Sequence, residues 1–140
     1  MSVRILVADD HDIVREGVIS ILKQRPDWEV IAEAENGEQA LNSAQQLLPD
    51  ITILDIRMPL LDGLSAAQRI QDLHLRTKVL IFTMHDSRSL RGTVEKSGAK
   101  GYVLKSRASQ DLIRAVDTVL EGGTFFDPGS SPDLAGSRAT

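Results

Sequence analysis

The chain has 140 residues, a length that fits one domain with a buried core. It contains no cysteine, which excludes disulfides, zinc–thiolate sites and a thiol nucleophile, and its formal charge of −4 argues against strong binding to a nucleic-acid backbone by this chain alone. No apolar stretch approaches the roughly 18 residues that a membrane span requires, and the first residues lack the pattern of a signal peptide. We therefore expect a cytoplasmic protein that does not enter a membrane.

Hydrophobic patterning predicts strands that alternate with helices along the chain. Near-continuous apolar runs at 3–8, 51–55 and 78–83 are typical of buried central strands, whereas the alternating run at 28–34 and the short run at 101–104 suit the edges of a sheet. Apolar residues at helical spacing predict five helices, at 12–24, 38–48, 63–73, 87–97 and 110–121.

Single residues refine the predicted helices. Asp62 and Ser109 are expected to cap the third and fifth helices, and Leu48 is expected to be the last inward residue of the second. Gly92 lies in the middle of the fourth helix, where glycine costs roughly 1 kcal/mol relative to alanine. The fourth helix is therefore expected to be the most weakly packed.

Five alternations of strand and helix predict an α/β fold, a flavodoxin-like (βα)5 doubly wound sheet with five parallel strands in the order 2-1-3-4-5. Residues 1–123 would form this domain. Residues 124–140 are expected to be a linker or a flexible C-terminal tail, because glycine, serine, proline, aspartate and alanine dominate the sequence from position 127 onwards. Phe125 and Phe126 would anchor the start of that tail to the domain.

Polar residues follow four of the predicted strands: Asp9 and Asp10, Asp55, Thr83 and Lys105. Each alone has a structural explanation, since an aspartate after a strand usually makes a turn or caps a helix. The predicted strand order, however, brings all five to one rim of the sheet, where three carboxylates would repel each other without a cation. Oxygen ligands favour Mg²⁺, and a cation, an ammonium and a hydroxyl around one carboxylate favour phosphoryl transfer onto that carboxylate.

The same residues lie in motifs that resemble those of a known family. The motifs are Asp9-Asp10, Asp55-Ile-Arg-Met-Pro-Leu-Leu-Asp-Gly63, Thr83-Met-His85 and Gly101-Tyr-Val-Leu-Lys105. In order and spacing they resemble the receiver domain of two-component response regulators over about residues 2–123, and they are most similar to the LuxR-type (NarL/FixJ-like) subgroup. The resemblance implies that residues 1–123 are a receiver, or phosphoacceptor, domain.

The resemblance also implies a role for each residue of the metal site. Asp55 would be the phosphoacceptor. Asp10, Asp55 and the backbone carbonyl of Arg57 would bind Mg²⁺ directly, and Asp9 would act through a metal-bound water. The three histidines share no metal-ligand spacing and are expected at the surface or in local packing: His11, His74 and His85.

A second group of residues would carry the signal away from the phosphoacceptor. Thr83 and Lys105 would hold the phosphoryl oxygens, and the ring of Tyr102 would follow Thr83 as a switch. The surface formed by residues 87–121 would then change. One departure from the pattern is Ser106, which stands where many receivers have a proline in a cis peptide, so that rigid turn is not expected.

The resemblance implies a signalling switch rather than an enzyme. It would take its phosphoryl group from a sensor histidine kinase and control either homodimerisation through residues 87–121 or an attached transcriptional output. DNA would be bound only by a C-terminal helix-turn-helix domain that is not present in this chain.

The sequence leaves two alternative interpretations open and disfavours two others. A stand-alone receiver that acts by protein–protein interaction, and an intact receiver that works as a constitutive scaffold, both fit the sequence. A haloacid-dehalogenase-type phosphatase is disfavoured, because Arg57 stands where its general acid would be. A flavodoxin-like nucleotide binder is disfavoured as well, because Asp9-Asp10 would repel phosphate.

Overall fold

A computed structural model describes residues 2–126 as one parallel sheet between two layers of helices. The strands lie in the order β2-β1-β3-β4-β5, so the predicted fold class and strand order are confirmed. In chain order the elements are β1 (Val3–Ala8), α1 (Asp12–Leu22), β2 (Trp28–Ala34), α2 (Gly37–Leu47), β3 (Ile51–Asp55), α3 (Gly63–Asp72), β4 (Lys78–Thr83), α4 (Leu90–Lys96), β5 (Tyr102–Leu104), a 3-10 turn (Lys105–Arg107) and α5 (Ala108–Leu120).

The sheet separates two hydrophobic cores. Alternate residues of each strand point to opposite faces, so Ile5 and Val7 of β1 pack against α1 and α5, while Leu6 and Ala8 pack on the face covered by α2, α3 and α4. Every residue of β3 is buried, which fits the prediction of a central strand. Among the described residues, no helix combines the length and the apolar character needed to span a bilayer.

The second helix and its end differ from the prediction. Asn36 caps α2 by accepting a hydrogen bond from the Gln39 N–H, and the helix ends at Leu47. Leu48 follows in the left-handed conformation (φ 47°) and is 49% exposed. The prediction that Leu48 faces inward is therefore wrong, because the turn that ends the helix takes this residue off the inner stripe.

The ends of three other helices also differ. The first helix ends at Leu22 rather than at residue 24. The fourth begins at Leu90 rather than at residue 87, and it buries only Leu90 and Val94, the fewest of the five α-helices in residues 2–126. The predicted cap at Ser109 is wrong, because the 3-10 turn runs directly into α5 and places Ser109 inside its first turn.

The chain returns to the edge of the sheet after α5. The Phe125 N–H donates to the Lys100 carbonyl and the Tyr102 N–H donates to the Phe125 carbonyl, both at 2.9 Å. Phe125 packs into the core beside α5, and Phe126 packs into the core on the opposite face. The predicted apolar anchor is confirmed, whereas the tail predicted from residue 127 onwards lies outside the described residues.

Candidate functional site

The carboxyl ends of the parallel strands bring the predicted polar residues to one rim. One ligand atom from each of Asp9, Asp10, His11 and Asp55 lies within 4.8 Å of the others. Lys105 Nζ lies 2.9 Å from Asp9 Oδ2 and 3.3 Å from Asp55 Oδ1. Residues from β1, β3 and the end of β5 therefore meet, as the strand order predicts.

Asp9 is the most firmly held member of this cluster. It is 1% exposed; its N–H donates to the Ala34 carbonyl, and its own carbonyl accepts from Arg15 Nη1 at 2.7 Å. Its Oδ1 accepts the His11 N–H at 2.9 Å. Oδ2 lies at ion-pair distance from Lys105, but it has no hydrogen bond of good geometry and is buried. A buried carboxylate oxygen in that position fits an acceptor for a hydrated cation.

Asp10 and His11 form the exposed edge of the cluster. His11 Nδ1 lies 3.1 Å from Asp10 Oδ1 and 3.3 Å from Asp9 Oδ1. Sequence reasoning set His11 aside, since the three histidines share no ligand spacing. Its position directly after Asp10 was the available signal that it would lie beside the carboxylates.

Asp55 ends β3 in a nearly closed environment, with 5% of its surface exposed. Burial raises the pKa of its carboxyl group above the ordinary value, and the charge of Asp9 raises that pKa further, while Lys105 acts in the opposite direction. Lys105 therefore does not fully offset the effect of burial and of Asp9 on the Asp55 carboxylate. A bound cation would favour that form, which is the nucleophilic one.

The loop after Asp55 is built on two residues at the start of α3. Asp62 caps the helix as predicted, accepting the Ser65 N–H at 2.8 Å. The Gly63 N–H donates to the Ile56 carbonyl at 2.8 Å, and a β-carbon at Gly63 would lie 1.9 Å from the Asp55 carbonyl oxygen. Only glycine permits this approach of α3 to the main chain of Asp55.

Arg57 borders two clefts beside the phosphoacceptor candidate. One cleft is shared with Asp10 and Asp62, and the other with Thr83 and Lys105. The Arg57 side chain is exposed, and the role of its backbone carbonyl at the metal site stays a prediction.

Thr83 ends β4 and is buried, with its hydroxyl 3.5 Å from the His85 N–H. It lines a cleft of about 360 Å³ together with Asp55, Lys105 and His85. A hydroxyl, an ammonium and a carboxylate therefore face the same space, which suits a tetrahedral oxyanion bound at Asp55.

Tyr102 lies on β5, apart from the carboxylate cluster. Its ring is buried, its hydroxyl donates to Asp86 Oδ1 at 3.2 Å, and its centroid lies 6.5 Å from that of Phe126. The ring thus already points inward in this structure. The coupling of Tyr102 to Thr83 remains a prediction, because one conformation shows no rotation.

The turn that carries Lys105 is fixed without a proline. The described residues contain no cis peptide bond, in keeping with Ser106 at this position. Instead, Arg107 Nε donates to Asp111 Oδ2 at 3.0 Å and Arg114 Nη2 donates to Asp111 Oδ1 at 2.9 Å, with Asp111 fully buried. Sequence reasoning missed Asp111; its spacing of four and three residues from two arginines was the available signal.

Comparison with known proteins agrees with this geometry. The family model described as "Response regulator receiver domain" matches residues 5–117. Oxygen regulatory protein NreC of Staphylococcus epidermidis is 43% identical over 125 residues, which are 89% of this chain and 57% of NreC. The chain spans little more than half of the length of the curated relatives it matches.

Two solved structures are similar over nearly their whole length. A two-component response regulator of the LuxR family from Aurantimonas sp. SI85-9A1 is 34% identical, with a TM-score of 0.85 and coverage of 99% of this chain and 96% of that one. The signal receiver domain of the putative response regulator NarL from Mycobacterium tuberculosis is 35% identical, with a TM-score of 0.82 and coverage of 86% and 98%. This chain belongs to the response regulator receiver domain family.

Proposed function

We propose that the chain is a phosphorylation-controlled switch in which Asp55 accepts a phosphoryl group from a sensor histidine kinase. The observation that carries this proposal is the position of Asp55, which ends the buried central strand inside a cleft shared with Thr83 and Lys105. An Asp55 carboxylate oxygen attacks phosphorus, and the phosphorus–nitrogen bond of the donor phosphohistidine breaks. The electron pair of that bond stays on the imidazole nitrogen, and a proton from solvent leaves the imidazole neutral. The product is an aspartyl phosphate.

The proposed Mg²⁺ site uses the residues implied by the family pattern. Asp10, Asp55 and the Arg57 carbonyl would hold the ion, with Asp9 acting through a water, and the ion would supply positive charge to the phosphoryl oxygens. The clustered carboxylates support this assignment, as does the buried Asp9 Oδ2, whose near neighbour is the Lys105 ammonium at 2.9 Å. Lys105 and Thr83 would hold the remaining phosphoryl oxygens, Lys105 with its charge and Thr83 with its hydroxyl.

Acetyl phosphate and Mg²⁺, followed by intact-mass measurement, test the acceptor. The wild-type chain should gain one phosphoryl group, and Asp55→Asn should gain none. Asp62→Asn is the matched control, since it removes a neighbouring carboxylate while asparagine still caps α3. Phosphorylation of the Asp55→Asn variant would contradict the proposal. So would phosphorylation of the wild-type chain when Mg²⁺ is chelated before acetyl phosphate is added.

The two aspartates after β1 are distinguished by metal titration. Asp10→Asn should weaken Mg²⁺ binding more than Asp9→Asn, because we assign Asp10 a direct bond to the ion. The opposite order would mean that the direct and water-mediated ligands are reversed.

We further propose that phosphorylation draws Thr83 toward Asp55 and alters the surface of residues 87–121, with Tyr102 as the coupled ring. The small buried face of α4 supports a movable element there. Hydrogen exchange with and without beryllofluoride should show changes at 84–105. Changes confined to 9–12 and 55–62 would contradict this route.

The output proposed for this switch is homodimerisation through residues 87–121 or control of an attached DNA-binding domain. The name of one relative, "Transcriptional regulatory protein DegU", and the LuxR family of the Aurantimonas structure support a transcriptional output. We place any DNA contact outside this chain, which carries a net charge of −4. We also propose a cytoplasmic location and a signalling rather than an enzymatic role.

A further inference from the structure

Arg15 of α1 is a buried arginine to which the proposed function assigns no role. It is 9% exposed and donates three hydrogen bonds: Nη1 to the Asp9 carbonyl at 2.7 Å, Nε to Glu33 Oε1 at 2.9 Å and Nη2 to Asp12 Oδ1 at 2.7 Å. The guanidinium therefore joins the end of β1 to β2 and to the first turn of α1. Its pKa is raised, chiefly by the bond to Glu33, so the group stays charged.

The hydrogen bond from Arg15 to the Asp9 carbonyl also restricts Asp10, because the two residues share a peptide bond. The carbonyl of Asp9 and the nitrogen and α-carbon of Asp10 belong to one planar peptide unit. The other side of Asp9 is fixed separately, because its N–H donates to the Ala34 carbonyl. Arg15 therefore fixes the orientation of the peptide plane from which the Asp10 side chain starts, at the point where the chain leaves the sheet.

If Arg15 only stabilised the fold, its ion pairs with two carboxylates would be enough to explain it. Glu33 and Asp12 are exposed residues, so water could solvate their carboxylates without Arg15. Nη1 instead satisfies a main-chain carbonyl beside the buried Asp9 side chain. The two carboxylates hold the guanidinium in the orientation that this third bond requires.

We propose that Arg15 is a positioning residue for the divalent-cation site: it orients the Asp9–Asp10 peptide so that both carboxylates converge with Asp55. This inference rests on the proposed Mg²⁺ site. Partners that orient metal ligands typically change metal affinity by about 10- to 100-fold when they are removed. Because Arg15 acts through the main chain, we expect the lower end of that range.

The test measures Mg²⁺ affinity by calorimetric titration and, in the metal-free protein, hydrogen exchange of the His11 amide, which donates to Asp9 Oδ1. Arg15→Met removes all three donors and keeps the apolar stem. It should weaken Mg²⁺ binding about tenfold and speed exchange at His11. Arg15→Lys keeps the charge and one donor that can reach the Asp9 carbonyl, and it should restore part of both properties.

Arg25→Met is the matched control. Arg25 also pairs with an aspartate, Asp117, and it packs over the Trp28 ring, away from the carboxylate cluster. Its loss should lower stability but leave Mg²⁺ affinity within about twofold, a change of ~0.4 kcal/mol.

The proposal is overturned if folded Arg15→Met binds Mg²⁺ and protects the His11 amide as the control does. If Arg15→Met does not fold, Arg15→Gln decides, because its amide nitrogen ends two bonds short of the Nη1 position that bonds the Asp9 carbonyl. Unchanged affinity and exchange relative to wild type overturn the proposal, and a loss of both supports it. A wild-type chain that binds no Mg²⁺ would overturn the proposed function itself, which separates the two failures.

Discussion

Gly63 offers the sharpest test of how the fold holds the phosphoacceptor candidate. It begins α3 against the main chain of Asp55, and a β-carbon at this position would lie 1.9 Å from the Asp55 carbonyl oxygen and 2.8 Å from its carbonyl carbon. Both are backbone atoms of a strand that is buried along its whole length. Neither can rotate away as a flexible side chain would.

The size of the effect follows from these distances. Real β-carbons do not approach other heavy atoms closer than 3.0 Å, so Gly63→Ala must move α3 or the end of β3 by about 1 Å. Overpacking of this kind costs about 1–3 kcal/mol. Because the clashing atoms are backbone, we take the upper end of this range, about 3 kcal/mol. Alanine recovers less than about 1 kcal/mol through helix propensity, so we expect a net loss of about 2 kcal/mol in unfolding free energy.

Gly92→Ala is the matched control, because a β-carbon at Gly92 in α4 would meet nothing within 4 Å. It should raise the unfolding free energy by about 0.5–1 kcal/mol. Urea titration of both variants measures the difference. Acetyl phosphate labelling of Asp55 should also slow in Gly63→Ala, since a misplacement of about 1 Å can cost up to a hundredfold in rate. A Gly63→Ala variant as stable and as reactive as wild type would refute the reasoning.

Four other variants test three separate features. Burial and Asp9 raise the pKa of Asp55, so its ionisation opposes folding above the unfolded-state pKa of about 3.9. Asp55→Asn should therefore raise the unfolding free energy of the metal-free protein at pH 7, measured by urea titration, and this increase should shrink toward pH 4. An increase that does not depend on pH would contradict this. Gly101→Ala should speed hydrogen exchange of the Phe125 amide, because a β-carbon at position 101 would lie 2.3 Å from the Phe125 carbonyl oxygen. Unchanged exchange of that amide would contradict this prediction. Arg57→Ala and His85→Ala should change the dephosphorylation rate without preventing phosphorylation, and rates within about twofold of wild type, ~0.4 kcal/mol in barrier, would mean that neither side chain gates the hydrolytic water.

Most of the fold and the location of the site were predictable because they depend on patterns with a regular period. The bounds of β1, β2 and β4 match the prediction, since apolar runs end where the chain leaves the core. The strand order then determines that Asp55 and Lys105 meet, although 50 residues separate them in the sequence. A parallel sheet places the carboxyl ends of its strands at one edge, whatever the loops between them do.

The features that sequence reasoning missed depend on single contacts between distant residues. Arg15 bonds with Glu33 on β2, and neither residue belongs to a periodic pattern that points to the other. The predicted start of α5 is two residues too late, because the three-residue 3-10 turn runs directly into the helix at Ala108, a geometry that the side chain of Ser109 does not signal. Such pairings and turn geometries are decided by the packed structure rather than by local propensity.

The charges of the site imply an order of events in the proposed reaction. Lys105 is nearer to Asp9 than to Asp55, so one ammonium is shared between two buried carboxylates, and the nearby carboxylate of Asp10 has no share of it. When all three carboxylates are ionised, one ammonium leaves two negative charges uncompensated, and an incoming phosphoryl group would add to them. A divalent cation held by Asp10 and Asp55 would match that imbalance and would free Lys105 from Asp9 to reach the phosphoryl oxygens. In the proposed reaction Lys105 would serve the phosphoryl group once another cation balances the carboxylates, so we expect metal binding to precede phosphoryl acceptance.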